Sequence, residues 1–440
     1  MKQVGCFLLL VLLSGIPLIA QTFTASGGNK SVYVVHKEEL GNAELENVFL
    51  FYGMNGAQLT YTSPAAASTI SWFRYQNNPA DRMPLTGNQT GNVSVLATVE
   101  PDYGYIVNDD GTEYAVWVVD YTRYISDLQK LTVVEDDNKC SSLFLQLTAD
   151  IPDIPYHKFT DGTPEYLVRT YKIAYKTLEW DGNNQIYNPV NDTVAVINVD
   201  SPIKVTSPLT DTDFILWEDH FAVYFDEDVS VVSDVYTAIR VEAHAEVVTA
   251  ARDNPNEKNS PTSSSTSGSA PLDVNFIAYV SDAVQHYSWE FSSREDFSVL
   301  LATYPESELH YIFDRTGKYY VRLNVSDYAN NCSEIALESP FIIEVSESFI
   351  EAPNYFTPNS STDINDQFKV SYQSINKFKC TIFNRWGNFI YEYYDPAGGW
   401  DGKKDGKLVP PGVYFYVIEA DGSDGIKHKL KGDINLLYKK

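Results

Sequence analysis

The chain has 440 residues, 44% of them apolar and 14% aromatic, with 59 Asp and Glu against 32 Lys and Arg for a formal net charge of −27. At about 100–150 residues per domain this length predicts two to four domains. The acid excess argues against a nucleic-acid partner, whose phosphates must be neutralised, and against anionic lipid; it suits a soluble exported surface, with attraction of divalent cations as a second reading.

Residues 1–20 predict a removable export signal. Lys2 gives a positive start, Cys6 to Ile19 run apolar around Pro17, and Ala20 before Gln21 forms a small-residue cleavage site. Cys6 stands at the start of the apolar run instead of following it, unlike a lipoprotein cysteine. No later stretch reaches the ~18–20 apolar residues that span a bilayer, so no transmembrane anchor is expected.

From residue 21 onward, runs of Val, Ile, Tyr, Phe, Thr and Trp alternate with Asp-Gly, Asn-Gly and Pro turns at sandwich spacing. SVYVV (31–35), TISWFRY (69–75) and EYAVWVVDY (113–121) predict one β-sandwich over 21–126. Trp72 stands where the core tryptophan of a sandwich strand would, and this strand rhythm loosely resembles an immunoglobulin-like domain, without its cysteine pair. DYTRYISDLQK marks a boundary near 125–130. A second sandwich, 127–250, is predicted from SLFLQLTA (142–149), EYLVRTYKIAYKTLEW (165–180) and TAIRVEAHAEVV (237–248). In the last, Ile239, Val241, Ala243 and Ala245 alternate with polar positions, so a strand is expected despite the alanines. The Ser-, Thr- and Pro-rich run at 251–269 lacks apolar content and predicts a flexible linker.

Residues 270–348 resemble a PKD-type β-sandwich repeat. Ala270-Pro271-Leu272, Tyr287, Trp289, Phe291, His310-Tyr311, Gly317, Tyr319-Tyr320-Val321, Leu323 and Val325-Ser326-Asp327 carry the resemblance. Glu290 and Ser292-Ser293-Arg294 depart from the repeat's usual W-D-F-G-D-G turn. The resemblance implies a spacer or interaction module.

Residues 349–440 predict a further sandwich, with Phe378, Cys380 and Ile382, then Val413, Phe415 and Val417, then Ile434, Leu436 and Tyr438 facing its core. Gly387 suits a tight hairpin, Asp401-Gly402 a type I′ turn, and Pro411-Gly412 a type II turn. Trp386 and Trp400 are expected to be buried, at about 1.5–3 kcal/mol each. This block carries 12 Lys and Arg against 11 Asp and Glu, leaving 20 against 48 for residues 1–350. The acid excess therefore belongs to the passenger.

The same block closely resembles the gliding-motility-associated, type B C-terminal sorting domain of the type IX secretion system of Bacteroidota. The match runs through Pro353-Asn354-Tyr355-Phe356-Thr357-Pro358, Asn365-Asp366-Gln367-Phe368, Ile382-Phe383-Asn384-Arg385-Trp386-Gly387, Gly399-Trp400-Asp401-Gly402, Pro411-Gly412-Val413-Tyr414-Phe415-Tyr416 and Gly432-Asp433-Ile434-Asn435-Leu436. Ser360-Ser361-Thr362-Asp363 departs from the common Gly-Asp-Gly. The resemblance implies Sec export, then handling by the outer-membrane type IX machinery, with delivery to the cell surface or medium.

Catalytic and metal signatures are missing: no CxxC, HExxH, GxSxG or GxxxxGK[ST] occurs. In WEDHF (217–221), Glu218, Asp219 and His220 cannot converge from one strand, and a turn or exposed edge is expected. No cofactor is expected; the acidic turns NDDGTE (108–113) and WDGNNQ (180–185) leave a structural calcium open beside ordinary turn formation. The 31 tyrosines read mainly as cross-strand core and rim residues, with stacking on sugars as the alternative. DTV at 192–194 resembles a short O-glycosylation sequon used by these bacteria. Three dispersed cysteines remain after cleavage and define no framework: Cys380 reads as an apolar core residue, and a Cys140–Cys332 bridge is left open.

The expectation is thus an all-β protein of tandem immunoglobulin-like β-sandwich domains, non-enzymatic and surface-exported, with an adhesive, structural or envelope-assembly role. Partners beyond the exporter would be surface glycans or other envelope proteins. A surface glycan-binding protein, or an unrecognised secreted hydrolase, are the alternatives.

Overall fold

A computed structural model describes residues 22–199, 202–336, 339–358 and 365–438. The expected signal cleavage at Ala20 and Gln21, and the Ser360–Asp363 departure, lie outside the described residues. The fold is all-β: paired sheets follow one another along the chain, and among the described residues the one α-helix is the short His220–Tyr224.

In the first unit a four-stranded sheet faces a six-stranded one. Trp72 fills the space between them, buried against Phe23 and donating its indole N–H to Ser94 Oγ at 2.9 Å. The central strands of the larger sheet, Asn47–Phe51 and Thr112–Asp120, pair in parallel and are buried at nearly every residue. Their continuous apolar runs, NVFLF and AVWVVD, are what a strand covered on both faces requires. The second face is covered from beyond residue 130: Ile154, Tyr156, Leu167, Phe221 and Phe225 share one core with Val48, Leu50, Trp117 and Val119. The expected boundary near 125–130 is therefore crossed by a common core.

That joint also holds a buried ion pair. Arg169 Nη1 meets Asp219 Oδ2 at 2.5 Å and Ser126 Oγ at 2.6 Å, and Arg169 Nη2 donates to the carbonyls of Tyr124 and Pro152. Asp219 is fully buried and caps the helix through Phe221 N–H. WEDHF is thus no exposed edge at Asp219, although its three polar groups do diverge: Glu218 pairs with Lys172, and His220 Nδ1 accepts from Thr170 N–H.

The second unit packs a three-stranded sheet on a four-stranded one around Leu131, Leu145, Tyr171, Ile173, Phe214 and Leu216. The third is built around Trp289, with Phe276, Phe291 and Phe313. Strand Ala243–Thr249, expected in the second unit, pairs antiparallel with Leu272–Val280 and belongs to the third unit's sheet. A disulfide joins Cys140 to Cys332, tying the second unit to the third across 192 residues of sequence. Closing so long a loop restricts the unfolded chain, so Cys332→Ser is expected to lower stability by about 2–5 kcal/mol, read as an earlier denaturant midpoint under non-reducing conditions.

The run expected as a flexible linker is held in place. Arg252 pairs with buried Glu257 at 2.7 Å and reaches the carbonyls of Ser269 and Pro271. Asn256 to Lys258 then lie along strand Ser371–Gln373 of the C-terminal unit: Lys258 N–H donates to Tyr372 O at 2.7 Å, and Tyr372 N–H to Asn256 O at 3.0 Å. Ser269 Oγ accepts from Ser374 N–H at 2.7 Å, and Ser374 Oγ accepts from Ala270 N–H at 3.0 Å. Composition could not show this, because the segment is fixed by backbone pairing and one ion pair rather than by apolar burial.

Burial opposes ionisation of Glu257, but hydrogen bonds from Arg252, Asn254 and Ser269 outweigh it and hold its carboxyl below the usual range. A depressed carboxyl stabilises the fold above its unfolded pKa of about 4.3 and loses that contribution as pH falls through the folded value. Acidification below about pH 4, or Glu257→Gln at neutral pH, is expected to speed hydrogen exchange at Lys258 and Tyr372 after correction for intrinsic rates. Unchanged protection in both would refute the role of this pair.

Candidate functional site

The C-terminal unit is a five-stranded sheet in the order Tyr355–Phe356, Lys427–Leu436, Gly412–Gly422, Ile375–Asn384, Phe389–Tyr393, covered on one face by loops and by the Phe349–Glu351 and Ser371–Gln373 pair. Phe378, Cys380 and Ile382 face this core, as do Ile434 and Leu436, with Tyr438 packed at its margin. Val413, Phe415 and Val417 do not. They point outward, and Tyr414, Ile418 and Ala420 are buried instead. Every residue of VYFYVI is apolar, so a period of two does not choose a face. Register does: Ala420, Ile418 and Tyr416 stand opposite Phe378, Cys380 and Ile382, and directly opposed residues share a side.

The signature residues divide between framework and surface. Trp400 is 0% exposed; it exchanges backbone hydrogen bonds with Phe368 at 2.8 and 3.1 Å, donates Nε1–H to Lys403 O, and packs on Phe356 and Tyr414. Tyr414 OH donates to Pro410 O, anchoring the Pro411-Gly412 entry to the strand. Gly402 has φ +78°, and a Cβ there would press on Pro358, Leu436 and Phe356 at 3.1–3.4 Å. Asp401 keeps negative φ, so the expected type I′ turn is not formed; its carboxylate accepts from Lys403 N–H instead. Asn365 takes φ +58° and its carbonyl accepts from Thr357 N–H, setting the approach of Asp366 to Phe368.

The hairpin Asn384–Asn388 turns tightly on Gly387, as expected, with Asn384 Oδ1 accepting from Trp386 and Asn388 N–H. Trp386 itself is 69% exposed, contrary to its expected burial. The turn holds it at the tip, outside the sheet, where the Arg385 guanidinium stacks on its ring at 4.2 Å. Cys380 is a free thiol whose pKa burial pushes up to about 12, which leaves it unreactive near neutral pH.

A second feature was not legible in the sequence. A cavity of about 410 Å³ opens at the joint of the first two units, lined by Tyr33, Glu39, Asn42, Tyr156, Tyr166 and His220. Among the described residues the Tyr33 and Tyr156 hydroxyls have no hydrogen-bond partner. Burial lowers the His220 pKa, and the Thr170 N–H on Nδ1 leaves its proton on Nε2 in the neutral ring. The acidic turns, by contrast, have their side chains engaged: Asn108 Oδ1 accepts from Gly111 N–H, Asp109 from Tyr61 OH and Asp110 from Thr69 N–H, Glu113 pairs with Arg82, and Asp181 Oδ1 accepts from Asn183 and Asn184 N–H.

Residues 132–233 match the fibronectin type III domain family Fn3_FA, so with the fold they define a tandem immunoglobulin- or fibronectin-like β-sandwich protein. Residues 350–436 match the CHU_C type IX secretion signal domain. The chain therefore carries a C-terminal sorting domain for export across the outer membrane. No curated protein matches the chain. Among solved structures it is similar to a tetra-tandem repeat from the extending region of a large adhesion protein (12% identity, 88% of this chain and 98% of that one, TM-score 0.21). It is also similar to the chicken CNTN1 FN1–FN3 domains (8%, 70% and 99%, 0.21) and to dimeric latent PorU from Porphyromonas gingivalis (12%, 71% and 32%, 0.16). At these TM-scores the three likenesses carry no argument about function.

Proposed function

We propose that this protein is a non-enzymatic adhesive or envelope-assembly component of a Bacteroidota cell surface, passed by Sec and then by type IX export, with residues 22–249 making the contacts and a PKD-type spacer carrying them. The observation that carries this reading is the type IX secretion signal domain at 350–436 behind tandem sandwiches. Its support as a binding rather than a catalytic protein is that the acid–histidine cluster of WEDHF is engaged in packing: Asp219 in a buried ion pair, Glu218 in a partly exposed pair with Lys172, and His220 accepting from Thr170 N–H. Cells lacking the protein are expected to lose attachment to surfaces or to one another, and added purified protein is expected to compete with intact cells. Undiminished attachment, or turnover of a hydrolase substrate abolished by one substitution in a cleft, would replace this reading.

A second reading, capture of surface glycan, is favoured by the cavity at the first joint. Unpartnered tyrosine hydroxyls, an amide, the Glu39 carboxylate, the mutually neutralising Lys158–Glu165 pair and a neutral imidazole beside the exposed ring of Tyr166 suit an uncharged hydroxylated ring. The exposed aromatics of this region, Tyr166, Trp217 and Tyr224, sit on separate elements and form no row on one strand. Retardation in gels containing neutral polysaccharide, lost in Tyr33→Phe with Tyr156→Phe, is the outcome that would raise this reading above adhesion to protein.

A further inference from the structure

We propose that the outward face of the sorting domain's five-stranded sheet is the surface by which the export machinery grips this protein, and that the gripping partner presents an apolar face edged by carboxylates. The inference rests on residues 350–436 being handled by that machinery, and adds which side of the domain is read.

The face is continuous from strand to strand. Val413, Phe415 and Val417 are each 43–45% exposed at alternate positions of one inner strand. Phe415 stands opposite Phe383, and Phe383 opposite Phe389, which is about half exposed. On the other side Val413 stands opposite Asn435, and Asn435 opposite the half-exposed Tyr355. Trp386, under Arg385, extends the patch from the hairpin tip. Single exposed apolar residues are ordinary, but Val413, Phe415, Val417, Phe383 and Phe389 gathered on three neighbouring strands, with Asn435 and Asp433 beside them on the next, mark a surface that is covered in use. Trp, Tyr and Arg are also the residues that dominate binding energy at such surfaces.

The passenger does not cover it. Its contacts with the sorting domain run through Asn256–Lys258 on Ser371–Gln373 and through Ser348 to Asp424 and His428, and reach the sheet only at its end, where Asp314 O accepts from Asn376 Nδ2 and Ser423 O from Thr316 N–H. The same face continues past Val417 into Lys377, Lys379, Lys427, Lys429 and Lys431, interleaved with Glu419 and Asp421, and carries Asp433 opposite Phe415. Lys429 pairs with Glu419 and Lys379 with Glu392, while Lys377, Lys427 and Lys431 make no ion pair within 4 Å among the described residues. Lys377, Lys427 and Lys431 outnumber Asp421 and Asp433, the carboxylates of this face that make no ion pair within 4 Å among the described residues, which leaves the face weakly basic. A partner rimmed by carboxylates gains from these lysines, and so does discrimination against the strongly acidic passenger surface.

The test is made in cells on the full chain. Val413→Ser, Phe415→Ser and Val417→Ser together are expected to cut the exported fraction about tenfold or more, while the purified protein keeps its Tm to within about 2 °C. Trp386→Ala with Phe389→Ser, both at the exposed tip, provides a second variant free of any central-strand folding defect and is expected to act in the same direction. Lys377→Glu, Lys427→Glu and Lys431→Glu together are expected to lower export severalfold without loss of Tm. Wild-type export by both apolar variants, while removal of residues 350–440 still blocks it, would overturn the assigned face and leave the sorting role standing. Export without residues 350–440 would overturn the sorting role itself. Dimerisation of the wild type in sedimentation velocity, abolished by the serine variant with export intact, would reassign the face to self-association.

Discussion

Removal of residues 350–440 is expected to leave the rest of the protein trapped inside the outer membrane, shifted almost wholly from the exterior to the periplasmic fraction. The expectation follows from the match of that segment to a type IX secretion signal and from the autonomy of its core. Phe356, Phe368, Cys380, Ile382, Trp400, Ile418 and Leu436 pack among themselves, whereas the passenger is built on four other clusters. Truncation removes the partner of Asn256–Lys258 but none of those four cores, so the remainder should stay folded and soluble. Cell fractionation with surface protease treatment measures the outcome. An unchanged exterior fraction would sink the sorting assignment.

The second large effect separates two tryptophans that the sequence treats alike. Trp400→Ala removes a fully buried indole together with its hydrogen bond to Lys403 O, and should cost about 3–5 kcal/mol. Against a typical domain stability of about 5–15 kcal/mol, that loss unfolds a sizeable fraction of the sorting unit and depresses export through misfolding. Trp386→Ala removes an exposed ring and should change stability by no more than about 0.5 kcal/mol. Denaturant unfolding of the two variants, followed alongside secretion, distinguishes a fold defect from a contact defect. Equal destabilisation by both would contradict the placement of Trp386 outside the sheet.

Much of this architecture was legible from pattern. The strand rhythm gave the all-β class, Trp72 and Trp289 sit in sandwich cores, and Phe378, Cys380 and Ile382 face inward because polar residues interrupt them. Where polar residues do not interrupt, the pattern is silent: VYFYVI offers two apolar faces, and only the register against Phe378–Ile382 selects Tyr414 and Ile418 over Phe415 and Val417. The fixed segment at 251–269 escaped for a different reason. Its order comes from Arg252–Glu257 and from backbone bonds to a strand more than a hundred residues away, interactions that composition does not encode. The cavity near Tyr33 and Tyr156 unites residues separated by over a hundred positions, and the Arg169–Asp219 pair unites a strand entry with a helix cap. Such long-range pairings become visible only with coordinates.

The six-stranded sheet of the first unit, sandwiched between two cores, has a mechanical consequence. Because its outer layer is supplied by Ile154, Tyr156, Leu167, Phe221 and Phe225, the first two units cannot swivel about residues 121–127 without opening that core. Tension applied at the first unit would pass through both as a single stiff lever, and the Cys140–Cys332 crosslink hands that pull directly to the third unit.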